Sequence, residues 1–219
     1  MATTGVPMVA EIDKAMSSKK LSADKLAKLN NALNALGPKP GEAGSNNGVT
    51  IGVGVSTAGA VGQADPTFTF DQSGGAITGQ TSVAVSFSEK FINSKNLFAG
   101  LIHEGSHVSD MQRFAVGIPD AMVGRANPLN LTQYQSEFNA FEVNSSLFEA
   151  MGESGSKYNI PVWNNSWTKA DSKLPPLETS RRNAIDAFIS ANYRDSLGAS
   201  VTSSNQGSKF SDAGITRRR

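Results

Sequence analysis

Apolar residues recur with two different periods along this chain, and the change from one to the other predicts how it is organised. Over residues 8 to 36, Val9, Ile12 and Met16, then Leu21, Leu26, Leu29 and Leu33, follow the spacing of two short amphipathic helices. Gly37-Pro38-Lys39-Pro40-Gly41 through Asn47 is crowded with breakers and polar residues and reads as a linker. From Val49 to about Ile92 the period shortens. Val49 to Val55, Thr67 to Phe70 and Ser82 to Phe87 are β-like runs, and the last two alternate strictly, as strands with one buried face do. The glycines between 52 and 79 are also what a mobile flap would carry.

Helical spacing then returns. Asn93 or Ser94 is the expected N-cap of a long helix through Leu97, Leu101, Val108 and Met111 toward Phe114. Pro119 and Pro128 punctuate a loop, and Leu131 to Met151 carries apolar residues at 131, 134, 138, 141 and 148. A less regular stretch holds Trp163, Trp167 and Pro175-Pro176 before a last helix over Arg181 to Leu197. Residues from 199 onward are rich in Ser, Gly and Asn with few large apolar groups, so a disordered tail is expected over 199–219. The predicted class is α+β: a helical arm and linker over 1–45, then one globular domain over 46–198.

Composition narrows the function classes. A chain of 219 residues with 38% hydrophobic content can bury a sizeable core. Twenty basic against nineteen acidic side chains leave a formal charge of +1, which gives no electrostatic case for a nucleic-acid partner or an anionic membrane. No stretch approaches the roughly 20 apolar residues that span a bilayer. Glu11, Asp13 and Lys14 interrupt the N-terminus where a Sec-type signal would be apolar. A soluble protein is expected, cytoplasmic or exported by a route that reads no such signal. Absence of cysteine removes disulfides, thiolate metal sites and a cysteine nucleophile.

The chemistry concentrates in His103-Glu104-Gly105-Ser106-His107. Residues four apart lie on one helix face, so His103 and His107 can aim both imidazoles at one zinc ion. Glu104 follows the first ligand directly, which turns its carboxylate aside from the metal and toward metal-bound water, as a general base requires. Only two histidines occur in the chain. Their spacing with a glutamate after the first arises by chance about once in 2,700 chains of this composition, so the metal reading is preferred over two ordinary histidines.

A catalytic zinc usually takes three protein ligands and a water. Without a third histidine or a cysteine the remaining ligand must be a carboxylate, from Asp110, Asp120, Glu137, Glu142 or Glu149. Asp110 lies three residues past His107, where a supporting bond suits its short side chain better than coordination. At about 100° per residue along 131–151, Glu137 falls inside the apolar stripe while Glu142 and Glu149 fall toward its edge. A carboxylate in a core-facing stripe is costly without a partner, and zinc is such a partner. The competing role for Glu137 is a buried salt bridge with Arg113 or Arg125.

His-Glu-x-x-His on one helix with a glutamate on a following helix resembles the glutamate-zincin metallopeptidases. The wording around it, His103 to Asp110 followed by Ser136-Glu137-Phe138-Asn139-Ala140-Phe141-Glu142, is similar to the small metallopeptidase domains of bacterial polymorphic toxins and effectors. The resemblance covers roughly residues 80 to 151. It implies a zincin-like fold, a small twisted sheet packed on the active-site helix with a mainly helical part after it. It also implies Glu137 as third zinc ligand, Glu104 as catalytic base and a peptide or protein substrate. Further, it makes a strand such as Ser82 to Phe87 the rim of the cleft, able to hold substrate backbone. Ser136 before Glu137 departs from the thermolysin-like pattern, and no third histidine follows as in metzincins. Of Tyr134, Tyr158, Tyr193 and several arginines, the sequence does not choose the donor for a developing oxyanion. An amidase acting on a cell-wall or other non-peptide amide, and a zinc-bound scaffold without turnover, are the alternatives.

Overall fold

A computed structural model describes residue 17 and residues 21–37, 48–54, 61–72, 76–92, 97–125, 129–151 and 177–217. The helix predicted on Val9, Ile12 and Met16, most of the linker, the Asn93 or Ser94 cap, Pro128, Tyr158, both tryptophans and Pro175-Pro176 lie outside these residues, as does the side chain of Glu149. The fold is α+β, a small open mixed sheet of four strands with several helices.

Helix α1 (Ala23–Ala35) is capped by Ser22, whose side chain accepts a hydrogen bond from the Lys25 backbone N–H. Strands β1 (Val49–Val53), β2 (Gly62–Asp71) and β3 (Thr78–Phe87) follow. The first two apolar runs and the third mark these strands, but β2 and β3 extend well beyond their alternating cores. Their polar ends pair with each other as an antiparallel hairpin, in register from Gly62 opposite Phe87 to Asp71 opposite Thr78. The sheet reading thus prevails over the flap for the described glycines. Next come the short α2 (Glu89–Ile92), the long α3 (Leu97–Val116), the short α4 (Ile118–Met122) and α5 (Gln133–Met151). Thr132 and Gln135 close a reciprocal capping pair at the start of α5, each side chain accepting from the other's backbone N–H. Helix α6 (Leu177–Asn192) precedes a 3-10 turn (Phe210–Ala213) and strand β4 (Ile215–Arg217).

The strand order is β1-β3-β2-β4, with β1 parallel to β3 and β4 parallel to β2. Two expectations are corrected here. Strand β3 is interior, flanked by β1 and β2, so Ser82 to Phe87 has no free edge with which to hold a substrate. The segment after 199 is not a disordered tail: β4 pairs with Phe68 to Phe70, Phe210 packs its ring near Phe68 and Phe114, and Val201 is buried. Its polar residues bond one another. Asp195 accepts from the backbone N–H groups of Leu197 and Ala199, and Asn205 donates to Asp195. That turn, with Gly198 at φ 82°, also ends the last helix at Asn192 rather than Leu197.

Helix α3 is the central element because it is buried on two faces. One face meets the sheet through Val108, Met111 and Phe114 against Phe68, Val83, Val85 and Phe87. The other places Phe98 and Ile102 in a cluster with Leu29 and Ala32 of α1, Leu147 and Phe148 of α5, and Ile185 and Ile189 of α6. The described part of the N-terminal arm therefore shares a core with the motif helix. Among the described residues no helix is long and apolar enough to cross a membrane.

Candidate metal centre

The turn of α3 that carries the motif faces α5 and α6, and the helical spacing brings the His103 and His107 Nε2 atoms to 3.2 Å. Glu137, in the second turn of α5, meets them: Oε2 lies 3.3 Å from His103 Nε2 and Oε1 lies 3.6 Å from His107 Nε2. Ligands about 2.05 Å from a tetrahedral zinc stand about 3.3 Å from one another. The two separations from His103 Nε2, 3.2 and 3.3 Å, match that figure, while His107 Nε2 has the other Glu137 oxygen, Oε1, nearest to it. Glu137 Oε2 is buried with no hydrogen-bond donor in suitable geometry, a cost that a cation would remove. Among the described residues His103, His107 and Glu137 form the one such group able to hold a metal ion.

Electrostatics follow from this proximity. Burial works against a charged His107, but the Glu137 carboxylate outweighs it and pushes the imidazole up to about 9. Burial alone would raise Glu137, yet the neighbouring His107 holds it well below the usual carboxylate range. Without metal the pair is thus an ion pair at neutral pH. His107 Nδ1 is 2.8 Å from Ser136 Oγ on its outer side.

Glu104 points to a different neighbour. It is buried, and a Cβ on Gly62 would stand 2.6 Å from its Oε1, so the start of β2 lies directly over the carboxylate. Burial raises its pKa. Among the described residues nothing pairs with the edge of β2 at this point. Val83 N–H bonds to Gly48, so alternate residues of β3 from Val83 face β1 and those between them face β2. Gly62, Ala64 and Pro66 therefore turn their backbone away from β3, and β4 covers only Phe68 to Phe70. A proline belongs on such an edge, because it has no N–H to lose from the ladder.

The other candidates are elsewhere. Asp110 accepts from Asn139 at 3.2 Å and has Arg113 at 3.7 Å, and burial raises its pKa. Asp120 pairs with Arg125 on the surface. Glu142 lies between Lys28 and Arg182. The arginines considered as salt-bridge partners of Glu137 are thus engaged by Asp110 and Asp120.

Of the tyrosines, Tyr134 donates to Asp186, which with burial pushes its phenol up to about 12. Tyr193, just past α6, has its phenol at the site: burial raises its pKa strongly, and the Glu137 and Glu104 carboxylates add to the effect. The signal in the sequence was the spacing of four from Ile185 to Ile189 to Tyr193, which continues the buried stripe of α6.

No known protein family, no curated protein and no solved structure matches this chain.

Proposed function

We propose that the chain is a zinc-dependent peptidase of glutamate-zincin type, with His103, His107 and Glu137 as metal ligands and Glu104 as general base. The observation that carries this reading is the convergence of His103 and His107, four apart on α3, with Glu137, thirty positions further on in α5, with a buried glutamate beside them under a strand edge that no described residue pairs with. A zinc ion held there supplies Lewis acidity and lowers the pKa of its water toward 7. Glu104 takes a proton from the attacking water and delivers it to the leaving nitrogen. The raised pKa of its carboxylate suits both halves of that transfer. The Tyr193 phenol donates to the carbonyl oxygen as negative charge grows on it. The outward backbone of Gly62 and Ala64 accepts an extended peptide as an added strand, a role that falls to β2 because β3 is interior. The small sheet on the motif helix supports the zincin-like reading.

Metal analysis of wild type, His107→Ala and Glu137→Ala, with activity on a peptide library, tests the proposal. One zinc per wild-type chain, loss from both variants and peptide cleavage by wild type are expected. Stoichiometric zinc in Glu137→Ala would overturn the third ligand. A zinc-loaded chain that cleaves purified peptidoglycan but no peptide is an amidase, and one that cleaves neither is a scaffold.

Zinc affinity should also depend on pH with a defined sign. A raised histidine pKa stabilises the metal-free pair below about 9, and zinc must displace that proton. Apparent affinity is expected to rise about tenfold per pH unit up to about pH 9, read by competition with a chelator of known pH dependence. An affinity that is flat from pH 6.5 to 8.5 would show that His107 is not protonated in the metal-free protein.

A further inference from the structure

We infer that Asn144 positions His103, its amide oxygen fixing the imidazole with the proton on Nδ1 and the lone pair of Nε2 turned inward. The inference rests on the proposed metal centre and adds the residue that prepares its first ligand.

Asn144 Nδ2 lies 3.5 Å from His103 Nδ1, and Asn144 Oδ1 is buried with no hydrogen-bond partner. The two ends of a carboxamide have nearly the same shape. Turning the amide over brings Oδ1 to the imidazole and leaves the geometry otherwise unchanged. With a metal on Nε2 the imidazole requires the same exchange from its side. His103 Nε2 faces Glu137 Oε2 and His107 Nε2, so a ring that offers its lone pair there must carry its hydrogen on Nδ1. A buried N–H needs an acceptor, and the orphaned Oδ1 is the one at hand. One rotation pairs the imidazole N–H with Oδ1 and moves the amide NH2 to the place that Oδ1 held.

The same logic holds on the second ring, where Ser136 Oγ stands 2.8 Å from His107 Nδ1. Both outer partners come from α5, the helix that carries Glu137. Asn144 is seven residues past Glu137, nearly two full turns, and so projects from the same face. Helix α5 thereby supplies the third ligand and the outer partner of each of the other two.

Ring-nitrogen NMR of the zinc-free wild type, at a pH where His103 is neutral, reads the tautomer directly. The Nδ1–H form is expected for His103, and an Nε2–H form would overturn the inference. Zinc affinity by chelator competition, and the visible spectrum of the cobalt-substituted protein, are then compared in Asn144→Leu and Asn144→Asp. The Leu variant should bind about 10- to 100-fold more weakly with a changed spectrum, and the Asp variant, which restores an acceptor, should recover most of the affinity. Wild-type affinity and spectrum in the Leu variant would also overturn it. Should the Leu variant fail to fold, the wild-type tautomer decides. A wild type that binds no zinc sinks the metal centre, while the tautomer still decides the role of Asn144.

Discussion

Glu104→Gln is expected to keep one zinc per chain and to slow peptide hydrolysis by about 10²- to 10⁴-fold. Gln has the shape of Glu and leaves His103, His107 and Glu137 untouched, so the three ligand atoms keep their spacing. What is lost is a group that can take and return a proton. Stability should move the other way. Burial raises the pKa of Glu104, and a group raised on folding favours the folded state only where it is protonated. Its ionised form is therefore a burden at neutral pH, and the neutral amide should leave the melting temperature at pH 7 unchanged or higher. Loss of zinc, or a lower melting temperature with the loss of activity, would mean that Glu104 has a structural role. Tyr193→Phe in the same assay should lower kcat with little change in KM, because its donor acts on charge that develops during the reaction.

Gly105→Ala has the second large expected effect, and it acts on stability. Gly105 sits inside the motif, yet it faces α1: a Cβ there would stand 2.3 Å from the carbonyl oxygen of Ala32 and 3.0 Å from its carbon. Backbone cannot swing aside as a side chain can. Helix α1 would have to retreat, opening the contact that buries Leu29 and Ala32 completely. Overpacking of this kind costs about 3 kcal/mol, offset by about 1 kcal/mol for the better helix propensity of alanine. The net loss of about 2 kcal/mol should lower the melting temperature by about 4–8 °C. An unchanged melting temperature would show that α1 does not lie on α3 at this point.

These two residues mark what a single sequence reveals and what it hides. Glu104 was legible as a candidate base because the role proposed for it depends on neighbours one and three positions away. Glu137 was legible because a carboxylate in an apolar stripe is an anomaly within one helix. The task of Gly105 was not, since it depends on Ala32, some seventy residues earlier. Strand β3 was identified as a strand but misplaced as a rim, because alternation reports which face is buried and says nothing about which strands lie alongside. The C-terminal segment misled through its composition. Its order comes from Phe210 on Phe68 and Phe114, and from a short strand on a partner far back in the chain. Tyr193 was one of three tyrosines until the stripe of α6 was followed to its end.

The pairing of Ile215 with Phe68 also bears on the order in which the molecule assembles. Contacts between residues so distant along the chain close large loops and form late in folding. As the polypeptide leaves the ribosome, the motif helix and Glu137 emerge well before Tyr193, Phe210 and β4. On the proposed reading, ligands and base would be made first and the donor phenol last. A nascent chain could then gather its metal before the donor phenol and β4 are in place.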